Sequence, residues 1–159
     1  MSQGAFAFEV TPKALRHPLI VATRDALRDG HVDDRKIVSS SFSSGALSVR
    51  VGKESVTCAV EFCASMIRCA EEHEAKITVE QADRERRTLF VAYGQSVSIT
   101  ISETAHMRYL EAAPPQPKGG YVNVPTYGGK PVEYIPTGKL TLEAGGYGAG
   151  IRRSWKEEK

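Results

Sequence analysis

The side chains that could hold a metal or act as a nucleophile are few and scattered. Cys58, Cys63 and Cys69 lie close together in sequence. On a helix each residue turns the side-chain direction by ~100° and climbs ~1.5 Å, so Cys58 and Cys69 share a face ~16 Å apart while Cys63 points away from both. A zinc site needs sulfurs ~2.3 Å from one ion, and a disulfide needs Cα atoms within ~7 Å, so neither forms among the three. They are expected to be small core residues. His17, His31, His73 and His106 show no H-x-x-x-H or His–Cys spacing, so neither a metal nor any other cofactor is expected.

The phosphate-loop and acyl-transfer patterns fail on individual residues. Gly145-Gly146-Tyr147-Gly148-Ala149-Gly150 suggests a dinucleotide turn, but the third required glycine falls on Ile151 or Arg153. Thr137-Gly138-Lys139-Leu140 suggests the end of a P-loop, but Glu133 occupies the upstream glycine position and Leu140 the Ser/Thr position. No G-x-S-x-G elbow occurs. The expectation is a chain without enzymatic activity.

Two arginine clusters and three tyrosines remain. Arg84, Arg86 and Arg87 form one cluster, Arg152 and Arg153 the other, and both are candidate contacts to nucleic-acid phosphates. Tyr121, Tyr127 and Tyr134 stand in a Pro/Gly-rich stretch and are candidates for a ligand- or partner-binding loop. The serines from Ser39 to Ser44 read as a flexible connection, with phosphate binding through hydroxyl and backbone groups as the alternative.

The elements that must position these residues follow from periodicity. Thr11-Pro12 reads as a helix start, and Gly30 as its end, with Pro18 marking a kink or a restart after His17. Residues 31–45 read as a loop. Leu47 to Val51 alternates as a strand, and Lys53 to Glu74 carries apolar residues at helical spacing on one stripe from Val56 to Ala70. Three alternating strands follow at 76–80, 88–93 and 96–102, with a tight turn at Gly94-Gln95. Residues 112–137 form a Pro/Gly-rich loop, and a fifth strand and a tail occupy 138–159.

These segments predict a single α+β domain over 1–159, with a sheet–helix core at 46–111. It is a two-layer sandwich in which a long helix packs on a mainly antiparallel sheet of about five strands, ordered β-α-β-β-β-loop-β after an initial helix. The inner rows are expected to be Leu47, Val49, Val51; Ile77, Val79; Leu89, Val91, Tyr93; Val97, Ile99, Ile101; and Leu140, Leu142. The outer face is then rich in Ser and Thr, with Phe90 as its aromatic residue.

Charge excludes two classes. Twenty-one Lys and Arg oppose nineteen Asp and Glu, for a net charge of +2. That is neither a histone-like cation nor a disordered polyanion. The odd cysteine count, the absence of a signal-like start and the absence of a run of ~20 apolar residues point to a cytoplasmic protein that does not enter a membrane.

His17-Pro18-Leu19-Ile20-Val21-Ala22-Thr23, Leu47-Ser48-Val49-Arg50-Val51, Tyr134-Ile135-Pro136-Thr137-Gly138-Lys139 and Arg152-Arg153-Ser154-Trp155-Lys156 carry a resemblance. The order of these segments resembles a region that follows a DNA-binding-like segment in poorly characterised bacterial proteins, often plasmid- or phage-associated. The resemblance implies a module attached to a DNA-related protein, and a chain that is one piece of a longer one. The functional expectation is therefore a binding or interaction module whose partner is another protein or a second copy. The alternatives are a contact to nucleic-acid backbone through the arginines, and a small-ligand or enzyme pocket under the 112–137 loop.

Overall fold

The computed structural model describes residues 11–41, 45–82, 85–145 and 154–156. Arg84, Arg152, Arg153, Ser43 and Ser44 lie outside them. The fold is mixed α+β: two helices and eight strands, with the strands joined in one curled sheet.

Helix α1 (Pro18–Asp29) begins afresh after a separate 3-10 turn at Ala14–Arg16. Pro18 has no N–H to lose at the first helical position, and the His17 ring nitrogen Nδ1 accepts the Leu19 N–H at 3.3 Å. The chain therefore restarts at Pro18 and does not kink there. Strand β1 (Ile37–Ser39) lies inside the stretch expected to be loop, and pairs antiparallel with β2 (Val49–Gly52). Ser40 is fully buried. Its hydroxyl donates to the Leu47 carbonyl and accepts the Val49 N–H at 3.1 Å. At Ser39 and Ser40 the serine run is thus structural, not a flexible connection. The short polar side chain supplies the hydrogen bonds that ladder partners would otherwise make.

Helix α2 (Val56–Glu72) follows a 3-10 turn at Lys53–Ser55. It buries Ala59, Val60, Cys63, Ala64, Ile67 and Ala70 against the sheet. Its end is closed by the Ala75 N–H on the Ala70 carbonyl, with Glu74 in the left-handed conformation (φ 57°). Cys58 and Cys69 are exposed, correcting their expected place in the core, and only Cys63 is buried. Burial pushes the Cys63 thiol up to about 12.

Strands β3 (Lys76–Ala82), β4 (Glu85–Ala92) and β5 (Gln95–Tyr109) form the meander. The turn between β4 and β5 is Tyr93-Gly94, both at positive φ, one residue earlier than expected. That placement sets the register Phe90↔Val97 and Thr88↔Ile99. Since alternate residues face opposite sides, Thr88, Phe90 and Ala92 share the helix side with Ile77 and Ile99. The expected inner row Leu89, Val91, Tyr93 is therefore corrected. Phe90 packs toward the core and Tyr93 is 91% exposed.

Residues 112–137 are only partly loop. After β6 (Thr126–Tyr127), strand β7 (Lys130–Gly145) runs back along β5 from Tyr109 to Ser98, and β8 (Ser154–Lys156) pairs with Thr141–Glu143 of β7. Five expected strands thus become eight among the described residues, because three short strands, β1, β6 and β8, carry no alternation signal. Two-residue and three-residue strands are too short to show a period.

Candidate functional site

β5 organises everything else. One edge is covered by β7 from Ser98 to Tyr109. Along the other edge, β4 pairs with Gln95–Ile99, and β2 then takes over in parallel at Ile101 and Ser102. The sheet therefore forks where β4 leaves and β2 arrives. Thr88, buried at the junction, accepts the Ser48 N–H on its hydroxyl at 2.7 Å, while the Ile101 N–H donates to the Ser48 carbonyl at 3.1 Å. Both backbone groups of Ser48 are satisfied before β2 is fully paired.

Just beyond the fork, Glu103 is buried, and its carboxylate accepts the Gly52 N–H at 2.8 Å and the Gly138 N–H. Gly138 (φ 72°) lies in the bulge of β7 opposite Thr104, where the register slips between Glu103 and Ala105. A buried carboxylate is tolerated where backbone donors meet it. Gly52 must remain small, since a Cβ there would lie 2.8 Å from the Pro136 Cβ.

Past Glu103 the β5–β7 pair leaves the sheet as an arm. Of seven large apolar side chains exposed among the described residues, three are on it, Met107, Tyr109 and Ile135, and three are on the loop and β6 that connect its two strands, Tyr121, Val122 and Tyr127, from 39 to 83% exposed. The arm is braced at one side by the turn before β1. Glu133 accepts from Arg108 at 2.6 Å and Lys36 at 3.2 Å. These bonds, that from Arg108 first, hold its carboxyl below the ordinary glutamate value. The Arg35 guanidinium stands 5.8 Å from the Tyr134 ring centroid, within cation–π range. The loop before β6 is ordered by Gln116, whose amide accepts the Val122 N–H at 2.7 Å and donates to the Val122 carbonyl at 3.1 Å.

The arm has an open edge. No strand pairs with β5 from Thr104 to Tyr109 on the side away from β7 among the described residues. The Leu110 N–H points to the Pro131 carbonyl of β7. Backbone direction alternates along a strand, so Arg108 and His106 also address β7. Ala105, Met107 and Tyr109 turn their N–H and C=O groups outward. Pro136, opposite Ala105, fits this phase because its missing N–H is not needed toward β5.

The sequence-derived candidates are divided by the fold. Arg86 lines a groove of about 720 Å³ at the fork, together with Arg50, Ser39, Ser41, Ser48 and Thr100. Arg87 is exposed opposite Glu80 on β3. Tyr134 lines a second groove of about 420 Å³ between the arm and the β1 turn, but Tyr121 and Tyr127 do not. They stand out on the arm instead. Arg50, Ser48 and Thr100 were legible only as an outer row of the sheet; nothing in the sequence indicates that Arg50 and Arg86 share one groove. The open β5 edge is a further feature that no residue type signals.

No three His, Cys, Asp or Glu side chains converge to hold an ion among the described residues, and no described helix is long and apolar enough to cross a membrane. No family model, curated protein or solved structure matches the chain.

Proposed function

We propose that the chain is a protein-interaction module, carried by a DNA-related protein as the sequence resemblance implies. Its β5–β7 arm captures an extended segment of a partner protein by strand addition. The observation that carries this reading is the edge at Ala105, Met107 and Tyr109, unpaired among the described residues, with Met107 and Tyr109 themselves exposed. Main-chain groups on an open edge supply affinity, and alternating side chains supply selectivity. Natural edges are commonly guarded by a charged side chain. Here the charge nearest the edge, Arg108, is turned onto Glu133 of β7.

The partner segment is expected to be extended, without proline at alternate positions, and apolar on the face that meets Met107 and Tyr109. A random peptide library displayed on phage and selected against the whole chain tests this. Peptides of that pattern should be enriched, and Met107→Pro should abolish their binding while leaving the β5–β7 ladder intact, because the Met107 N–H faces outward. Loss of the fold in this variant is checked by thermal unfolding, and Tyr109→Asp gives an independent test of the same edge. Enriched peptides that bind wild type, Met107→Pro and Tyr109→Asp equally would refute the reading.

A further inference from the structure

The groove at the fork is a second, chemically different feature. β4 leaves β5 after Ile99 and β2 joins it at Ile101, and residues from both strands line the groove between them. Arg50 and Ser48 come from β2 and its lead-in, Arg86 from the overhanging end of β4, Thr100 from β5, and Ser39 and Ser41 from β1 and beyond. Arg50 is exposed and makes no ion pair among the described residues.

The three serines form a hydrogen-bonded row. The Ser39 hydroxyl donates to Ser41 at 3.0 Å, and the Ser41 and Ser48 hydroxyls are 3.3 Å apart. Three hydroxyls carry three protons, and two bonds join them. One proton, on Ser41 or Ser48, is therefore left over within the groove lining. His31 also lines the groove. The acid in the lining is Asp33, whose Oδ1 is occupied by the N–H groups of Arg35 and Ile37, both at 2.9 Å.

We propose that this groove binds the phosphate group of a small phosphate monoester, a ligand of mononucleotide size. The Arg50 guanidinium can pair with two phosphate oxygens in bidentate fashion, and a hydroxyl with a free proton donates to a third oxygen. The volume of about 720 Å³ exceeds the needs of a bare oxyanion, and it lies within the ~300–1,000 Å³ of small-molecule sites. The serine run between β1 and β2 thus has two tasks. Ser40 points inward and holds the strands, while Ser39 and Ser41 turn to the ligand.

Titration of the whole chain with inorganic phosphate, AMP and a single-stranded oligonucleotide, followed by calorimetry and amide NMR, tests the proposal. Phosphate and AMP should compete for one site, shift the Ser39, Ser48 and Thr100 amides, and bind more weakly as salt rises. Arg50→Ala should weaken AMP binding by about tenfold or more, the loss expected for a charged hydrogen bond. Arg50→Lys should recover part of it, and Ser48→Ala should cost several-fold, which keeps the test open if an arginine variant misfolds. Arg108→Ala on the arm should change nothing. The proposal is overturned if neither phosphate nor AMP saturates, if Arg50→Ala and Ser48→Ala bind as wild type does, or if the oligonucleotide binds while AMP does not.

Discussion

The two halves of β5 share one strand and live in different environments. From Ser98 to Ser102 the strand is enclosed: β7 on one edge, β4 and then β2 on the other, with Ile99 and Ile101 buried. From Thr104 to Tyr109 it has β7 alone, and five of its six residues are exposed. Both halves alternate and both are rich in strand-forming residues. The difference lies in what covers the second edge. A strand paired on two edges is held by its neighbours, whereas one paired on a single edge leaves a row of backbone groups available for recognition. Stability is therefore expected to reside in the first half, and binding in the second.

Glu103 stands at the border, so the sharpest test removes it. Glu103→Leu leaves the Gly52 N–H without its acceptor in a buried site and the Gly138 N–H without its acceptor in a partly buried one. A buried orphaned donor costs about 1–3 kcal/mol and a partly buried one less, so denaturant unfolding should show a loss of about 2 kcal/mol or more. Glu103→Gln should lose less. If Glu103→Leu unfolds like wild type, the border is not where the fold is held.

Gly52→Ala comes next. The added methyl meets Pro136 at 2.8 Å, so β2 and the base of the arm must separate. Overpacking of this kind costs about 1–3 kcal/mol. A neutral result would show that the arm's base yields freely, and would weaken the contrast between rigid sheet and separate arm.

Cys63 reports on the layer beneath the enclosed half. Its folded thiol is raised to about 12, against an ordinary value of 9.0. In the unfolded chain the thiol ionises first, so stability is complete below about pH 9 and falls as pH rises toward 12. The loss at pH 10 should be roughly 1 kcal/mol and should disappear in Cys63→Ala, judged against that variant's own neutral-pH stability. Cys58 and Cys69 should react quickly with a thiol reagent at neutral pH, and Cys63 only on unfolding.

The smallest change belongs to the arm. Met107→Asp at an exposed edge position should shift stability by no more than ~0.5 kcal/mol while removing peptide binding. A large loss of stability would mean that the arm is part of the core. The brace responds in the opposite pH direction to Cys63. Glu133 has its carboxyl lowered by Arg108 and Lys36, so the contribution of these pairs is present above the ordinary glutamate range and is lost as pH falls through the lowered value. Both pairs are partly exposed, and salt should weaken them as well.

Sequence alone determined what depends on neighbours along the chain. The α2 stripe from Val56 to Ala70, the break in the first helix at Pro18, the strands around Ile77 and Ile99, and the burial of Leu47, Val49 and Val51 all follow from spacing and local backbone rules. A two-residue turn pairs even positions of β4 with odd positions of β5, so Phe90 rather than Leu89 shares the face of Val97 and Ile99, because strand side chains alternate with a period of two. Only the tertiary structure decided what depends on pairing between distant segments. It brought Arg50 and Arg86 to the lining of one groove, placed the Glu103 carboxylate between Gly52 and Gly138, and left the edge at Ala105, Met107 and Tyr109 without a partner strand among the described residues. None of these is a property of a residue type. Each arises because β2 and β4 must share one edge of β5, and that edge is longer than the two together can cover.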